Sequence, residues 1–343
     1  MSDPISEQTG ARRPSDTKLV VCAYFKFTLL RPPAELADKL SQRWPEMRIV
    51  HLPHHDKLAA ELPDTNIFVG YMLRPEQLKM ASQLRWFHCI SAGVAQLMYP
   101  ELRESGIAVT NAAGVHATTM AEHVIGMILA LLRDFPGATR YQGQHRWAQQ
   151  EIWDGRARPR ELQGQTVVIV GFGAIGRAIA ERLRVFGVHV WAVTRSGNAD
   201  PNLAERVFPF TQIENALANA DTVILAAPET PETHHLIGTS ELAMMKPSSI
   251  LINVARGSLV DEPALIKALQ NNWIAAAGLD VASQEPLPPE SPLWSLENVL
   301  ITPHISGVTE RLWEREAELL VDNLERWFSG KPLRNRIDLA RGY

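Results

Sequence analysis

Cysteine is nearly missing from this sequence: only Cys22 and Cys89 occur in 343 residues. Two thiols build no disulfide framework, and their separation leaves no clustered ligand set for structural zinc. Both read as small buried hydrophobes of a reducing compartment, and no metal is expected. A dominant charge is missing too. Basic and acidic residues number 34 and 38, leaving a formal charge of −4 with no long run of either sign. That balance offers no electrostatic footprint for nucleic acid or a membrane surface. No apolar run approaches the roughly 18 residues of a membrane span. The opening stretch Met1–Asp16 is polar and has no apolar centre of signal-peptide length. It reads as a frayed tail, and the protein as cytoplasmic. Neither an internal repeat nor a low-complexity segment is visible.

The chain does have enough length for two domains and enough apolar residues, 45%, for two cores. Short β-rich runs alternate with helical patterns, which predicts an α/β protein with parallel sheets. Strands are expected at Leu19–Tyr24, Ile67–Val69 and Trp86–Ile90, with helices from Pro33 to Trp44 and from Pro75 to Gln83. This is a flavodoxin-like pattern. Thr118–Leu132 reads as a long helix, apolar on more than one face, that packs between domains or against a second subunit. Tyr141–Arg160 reads as an extended arm whose Trp147 and Trp153 serve as packing anchors.

A second α/β series follows. Strands are expected at Thr166–Val170, His189–Thr194, Thr222–Ala227, Ile250–Val254, Ala276–Val281 and Val299–Thr302, with a helix over Ala174–Phe186. The last helix, Glu310–Phe328, is expected to return to the first domain. The division is then 17–115 plus 308–343 for one domain and 116–307 for the other.

Gly171, Gly173 and Gly176 form G-x-G-x-x-G directly after an apolar strand and at the opening of a helix, the context a dinucleotide fingerprint requires. Gly171 permits the tight turn, Gly173 lets a pyrophosphate approach the backbone, and Gly176 lets helix and strand pack closely. Phe172, Ala174 and Ile175 between them join the cofactor site, where free N–H groups at the helix start face the anion. At the end of the next strand the usual ribose-binding acid is absent, and Thr194, Arg195 and Ser196 stand there. A carboxylate would repel a 2′-phosphate, whereas hydroxyls beside a guanidinium accept one. NADP(H) is therefore expected over NAD(H), although Arg195 can also stack on adenine.

Three segments at later strand ends carry Arg256, Glu285 and His304, and such ends border the ligand crevice of an open parallel sheet. Taken singly, they read equally as a surface ion pair, a loop acid and a satisfied core histidine. Together, a cation, a carboxylate and an imidazole past successive strands suggest one site.

From about Leu84 to Gly307 the chain resembles the D-isomer-specific 2-hydroxyacid dehydrogenases. The resemblance rests on Ser91-Ala-Gly-Val, Asn111-Ala-Ala-Gly, Ala121-Glu-His, Gly171–Gly176, Pro231-Glu-Thr, Asn253–Gly257, Gly278–Pro286 and Pro303-His304. It implies an amino-terminal substrate domain, an inserted dinucleotide domain with a cleft between them, and a homodimer. It also implies reduction of a small 2-keto acid, of the glyoxylate or hydroxypyruvate type, to the D-2-hydroxy acid. His304 would be the acid/base, Glu285 its hydrogen-bonded partner and Arg256 the carboxylate anchor, helped by backbone N–H groups at Ala92 and Gly93. Asp280 would meet the nicotinamide carboxamide, or else serve as a structural acid at its strand end, with Ala227, Pro228, Val254 and Ala255 lining the nicotinamide side and Gly307 close by. Thr119 would touch the cofactor phosphates or cap its helix.

Departures from the family pattern narrow this reading. An acid often found after the loop glycine is replaced in Gly93-Val-Ala95-Gln96. Related formate dehydrogenases use Gln in place of the carboxylate held by Glu285, and related phosphonate dehydrogenases a Lys where Ala92 stands. No room is expected for the regulatory domain of long phosphoglycerate dehydrogenases. The alternative is a dinucleotide-sensing interaction protein, since the carboxy-terminal-binding corepressors resemble the family and keep the same three residues. The absence of a long disordered tail weighs against it.

Overall fold

A computed structural model of the chain describes residues 13–155 and 158–339. Residues 1–12 of the expected tail lie outside the described residues, and Pro14–Asp16 form one 3-10 turn. The chain forms two compact units, dividing after His116 and again after Gly307.

The first unit holds five parallel strands: β1 (Lys18–Cys22), β2 (Arg48–Leu52), β3 (Ile67–Gly70), β4 (Trp86–Cys89) and β5 (Ala108–Asn111). Their order is β2-β1-β3-β4-β5, the flavodoxin-like order, with the direction of winding reversing at β1 and β3. Buried β1, β3 and β4 read as continuous apolar runs because helices cover both faces of such a sheet. The edge strand β2, Arg-Ile-Val-His-Leu, is mostly half-exposed and carries no such signal, which is why pattern reading missed it. The terminal segment protects the other edge: Ile337 N–H donates to the Val109 carbonyl at 2.8 Å, and Asn111 N–H to that of Asn335 at 3.1 Å.

Helix Leu312–Phe328 packs Ala317, Leu320, Leu324 and Trp327 against Leu19, Val21, Ile67 and Trp86 of this sheet. Each leucine, isoleucine or valine among them, fully buried, contributes roughly 1.5–3 kcal/mol. The same face carries Glu316, whose Oε1 lies 2.7 Å from Nε2 of the fully buried His88. His88 Nδ1 in turn meets the Thr110 hydroxyl at 2.8 Å. Cys22 and Cys89 are both free and buried in this unit, and burial pushes their thiols up to about 11 and about 12.

The second unit holds β6 (Thr166–Val170), β7 (His189–Thr194), β8 (Arg206–Pro209), β9 (Thr222–Leu225), β10 (Ile250–Asn253), β11 (Ala276–Leu279) and β12 (Val299–Ile301). The order is β12-β11-β10-β9-β6-β7-β8, all parallel, so the direction of winding reverses between β6 and β9. The half-exposed edge strand β8 also escaped the sequence pattern. Helix Ala117–Leu132 lays Ala121, Val124, Met127, Ile128 and Leu131 into this unit's core. Gly278 in β11 makes room for it, because a β-carbon there would meet Met127 Cε at 3.1 Å.

One expectation needs correcting. The stretch Tyr141–Arg160 is not an extended arm: helices Phe135–Gly143 and Gln149–Asp154 occupy much of it, while residues 156 and 157 lie outside the described residues. Pro136 opens the first helix and the Asp134 carboxylate caps it by accepting from Gly137 N–H at 3.1 Å. Nor do its tryptophans anchor it within this chain, since Trp147 is 95% and Trp153 54% exposed. Among the described residues no helix is long and apolar enough to cross a membrane, and no cluster of His, Cys, Asp or Glu suited to a metal ion occurs.

Candidate active site

The glycine turn leaves β6 where the winding direction reverses, beside the end of β9. Gly171 has φ +94°, and a β-carbon on it would lie 2.4 Å from Ala227 N, so both backbone angle and space demand glycine. Gly176 sits on the strand turn itself, since a β-carbon would meet the Gly171 carbonyl oxygen at 2.2 Å. Gly173 differs, because a β-carbon there meets nothing within 4 Å. The protein's own packing does not require its bareness, and the space beside it suits a ligand that presses on the backbone. Gly173 is also the N-cap of helix Ala174–Leu183, whose first N–H groups have no partner within the helix. Together these features fit a pyrophosphate.

Around that turn, Phe172 and Ala227 are buried and Pro228 is exposed. At the end of β7 the Thr194 hydroxyl closes a local turn, accepting from Asn198 N–H at 3.1 Å and lying 3.2 Å from its carbonyl. Ser196 Oγ accepts from the same N–H at 3.3 Å. Arg195 follows Thr194, and its positive charge helps to hold the Glu232 carboxyl low, after hydrogen bonds from Thr230 and the Glu232 backbone. No carboxylate stands at the end of β7.

The arginine segment follows β10. The Asn253 side chain clamps it, donating to the Arg256 carbonyl at 2.9 Å and accepting from Ala255 N–H at 3.0 Å. Val254 and Ala255 are thereby buried, while Arg256 is half-exposed. Its Nη1 donates to the Ala255 carbonyl at 2.7 Å, leaving further donors of the guanidinium fork for an anion. Gly257 lies so close to the loop after β11 that a β-carbon would fall 2.0 Å from the Ala282 carbonyl. That approach ties the Arg256 segment to the loop that carries Glu285.

His304 and Glu285 do meet: Nδ1 and Oε2 are 2.7 Å apart, with the two side chains 51% and 39% exposed. A carboxylate only accepts, so this bond places a hydrogen on Nδ1 and leaves Nε2 as the nitrogen that can give or take a proton. Glu285 Oε1 accepts from Ala282 N–H at 3.2 Å, which orients the carboxylate. His304 itself has φ +53°, in the left-handed region that costs a non-glycine residue about 1 kcal/mol or more. Hydrogen bonds hold it there.

Those bonds come from Asp280. Its carbonyl accepts from His304 N–H at 2.8 Å, Oδ1 from Ile305 N–H at 2.9 Å, and Oδ2 from Ser306 N–H at 3.0 Å. Thr302 Oγ1 donates to Oδ1 at 2.6 Å. Burial by itself would raise this carboxyl, but hydrogen bonds from Ser306 and Thr302 and from the Ile305 and Ser306 amides outweigh it and hold the group below its ordinary value. Asp280, 2% exposed, thus anchors the histidine loop, the structural role open to an acid at a strand end. His123, Thr302 and Asn253 were not singled out by chemistry. The only signal for His123 and Asn253 was membership of the quoted motifs, and for Thr302 its place at the end of an expected strand.

In the first unit, the loop after β4 carries Ala92 and Gly93. Asn111 Nδ2 donates to the Ala92 carbonyl at 2.8 Å and Gln96 Nε2 to that of Gly93 at 3.5 Å. The N–H groups of Ala92 and Gly93 have no hydrogen-bond partner among the described residues. Thr119 falls at the third residue of helix Ala117–Leu132, inside the first turn rather than at its cap. Gly307 follows the histidine loop as the last residue of the second unit.

Comparison with known proteins gives a consistent set of likenesses. Residues 125–306 match the family described as D-isomer specific 2-hydroxyacid dehydrogenase, NAD binding domain. The chain is 37% identical over 288 residues to a glyoxylate reductase of Pyrococcus furiosus, spanning 82% of this chain and 84% of that one. It is 34% identical over 301 residues to a glyoxylate reductase of Thermofilum pendens, spanning 87% and 86%. Among solved structures, a D-isomer specific 2-hydroxyacid dehydrogenase family protein from Aeromonas salmonicida superposes with a TM-score of 0.80 at 31% identity, covering 94% of this chain and 99% of that one. One from Xanthobacter autotrophicus, in complex with NADPH and MES, has a TM-score of 0.80 at 28% identity, covering 95% and 99%.

Proposed function

The chain belongs to the D-isomer specific 2-hydroxyacid dehydrogenases, oxidoreductases that use a nicotinamide cofactor, and from that premise we propose that it reduces glyoxylate, hydroxypyruvate or a similar short 2-keto acid with NADPH in preference to NADH. The observation that carries the reading is the 2.7 Å bond from His304 Nδ1 to Glu285. In this reading the substrate carboxylate sits on the Arg256 guanidinium and on the backbone N–H groups of Ala92 and Gly93. Arg256 also polarises the adjoining carbonyl, which a fixed fork of donors does without reorganising. A nicotinamide cofactor held by the glycine turn would supply the hydride that the carbonyl carbon needs. His304 gives the proton on Nε2 to the carbonyl oxygen, and Glu285 stabilises the imidazolium that donates it and holds the ring in place.

The glycine turn and the N–H groups of Ala174, Ile175 and Gly176 would hold the pyrophosphate. Thr194, Arg195 and Ser196 would take the 2′-phosphate; the missing carboxylate at the end of β7 supports this choice. Ala227, Pro228, Val254 and Ala255 would border the nicotinamide, with Asp280 and Gly307 nearby, and Thr119 would face the phosphates. We also read the protein as a cytoplasmic homodimer with a discontinuous substrate domain (17–115 plus 308–343) and a dinucleotide domain (116–307). Exposed Phe135 and Trp153 on neighbouring short helices, with exposed Trp147 in the loop between them, support self-association, and light scattering reads the mass directly.

A panel of 2-keto acids run with both cofactors tests the reading. NADPH-dependent turnover of glyoxylate or hydroxypyruvate is expected, and equal or better kcat/KM with NADH would sink the cofactor preference. His304→Ala should remove most turnover while sparing cofactor binding, and Arg256→Ala should damage both KM and kcat. Arg195→Ala should weaken NADPH far more than NADH. Binding of dinucleotide without any steady-state reduction would instead make the protein a sensor.

A further inference from the structure

The loop that presents His304 is held by a relay that ends on a second histidine. Thr302 Oγ1 lies 2.6 Å from Asp280 Oδ1 and 3.0 Å from His123 Nε2. A threonine hydroxyl has one hydrogen to give and lone pairs with which to accept. The Asp280 carboxyl is buried and held below its ordinary value, so it is ionised at neutral pH and can only accept. The threonine's hydrogen therefore points to Asp280. Toward His123 the hydroxyl can only accept, and His123 Nε2 must carry the donated hydrogen. At 3.7 Å from Asp280 Oδ1, His123 does not bond the carboxylate directly, and its influence passes through Thr302.

The consequence lies one step further along. Asp280 accepts the N–H groups of three consecutive residues, His304 on its carbonyl and Ile305 and Ser306 on its two carboxylate oxygens. These bonds hold His304 at φ +53°. The carboxylate keeps this orientation because Thr302 fixes Oδ1, and the Thr302 hydroxyl keeps its own because the His123 N–H fixes it from the other side. His123 stands on helix Ala117–Leu132, whose buried face is packed into the core of the same unit, so the relay starts from a rigid element.

We propose that His123 is a positioning residue for the reduction: its Nε2–H locks the Thr302–Asp280 relay and thereby fixes the backbone that aims the free nitrogen of His304. This rests on the proposed proton-donor role of His304. His123 touches neither substrate nor cofactor in this scheme, and what it supplies is one N–H at a fixed place. Glutamine can present an N–H at a similar reach, whereas leucine fills similar space and has none.

The test compares His123→Leu and His123→Gln in the full-length protein. His123→Leu should lower kcat by about 10- to 100-fold, as expected for a misplaced reacting group. The KM for the keto acid and the Kd for NADPH should change by less than about threefold, as expected when only transition-state alignment suffers. Amide hydrogen exchange at residues 304–306, measured without ligands, should speed up in His123→Leu, while that of β6 and β9 stays at the wild-type rate. His123→Gln should restore both readouts to near wild type. A His123→Leu protein with unchanged kcat, or unchanged exchange at 304–306, would overturn the proposal, as would a folded His123→Gln protein as impaired as His123→Leu. Should His304→Ala itself keep full kcat, the proton-donor reading fails, whereas the exchange result still reports on the relay.

Discussion

Replacing Gly257 by alanine probes whether the arginine segment and the glutamate loop work as one body. A β-carbon there would lie 2.0 Å from both the carbonyl carbon and oxygen of Ala282 and 2.4 Å from Ser283 N. Ordinary contact begins at 3.4 Å, so the two segments must part by more than about 1 Å. All three obstructing atoms are backbone, and no rotamer change relieves them. Overpacking of this kind costs roughly 1–3 kcal/mol of stability. A shift of about 1 Å between Arg256 and the Glu285–His304 pair should cost on the order of 100-fold in kcat/KM. Cofactor affinity should change by only about threefold, because the glycine turn stands on a different strand and most cofactor contacts are untouched. Steady-state kinetics with a short 2-keto acid, cofactor titration by fluorescence and a thermal melt measure the three quantities. A Gly257→Ala protein with wild-type kcat/KM and wild-type Tm would refute the claim that this close approach positions the arginine.

Gly173→Ala should leave the ligand-free protein as stable as wild type, since nothing lies within 4 Å of the added carbon, yet weaken NADPH binding at least about tenfold. Unchanged affinity by titration would remove the pyrophosphate from that position. Asp280 contributes to the dependence of stability on acid. Its carboxyl is held below the ordinary value, so its contribution is present above about pH 4 and is lost as pH falls through the lower folded-state value. Asp280→Asn should therefore cost about 1–3 kcal/mol at neutral pH and lose less than wild type on acidification, and parallel urea-unfolding results across pH would contradict this. Gly126, exposed on helix Ala117–Leu132 with open space around it, should tolerate alanine with a gain of about 1 kcal/mol, read as a raised Tm. A loss would mean that another surface packs on that helix.

Much of this protein could be read from the chain alone because its signals are local. Strands buried on both faces show as apolar runs, and β1, β3, β4, β6, β7, β9 and β10 all stood out in that way. The glycine turn declares itself because each glycine answers a constraint within a few residues, or, for Gly173, one set by a ligand. Arg256, Glu285 and His304 were recognisable as residue types past successive strands, and by resemblance to a family.

Tertiary structure decided what depends on partners distant in sequence. The edge strands β2 and β8 carry polar residues and acquire their identity only from a neighbour. The segment at Tyr141–Arg160 became partly helical with its tryptophans exposed, although its composition suggested a packed arm. Most of all, the anchoring task of Asp280 and the donor task of His123 belong to hydrogen bonds that span more than twenty and more than one hundred and seventy residues of sequence. Periodicity reports which face of an element is buried. It carries no record of which polar atom waits on that face, and that information exists only once the strands stand side by side.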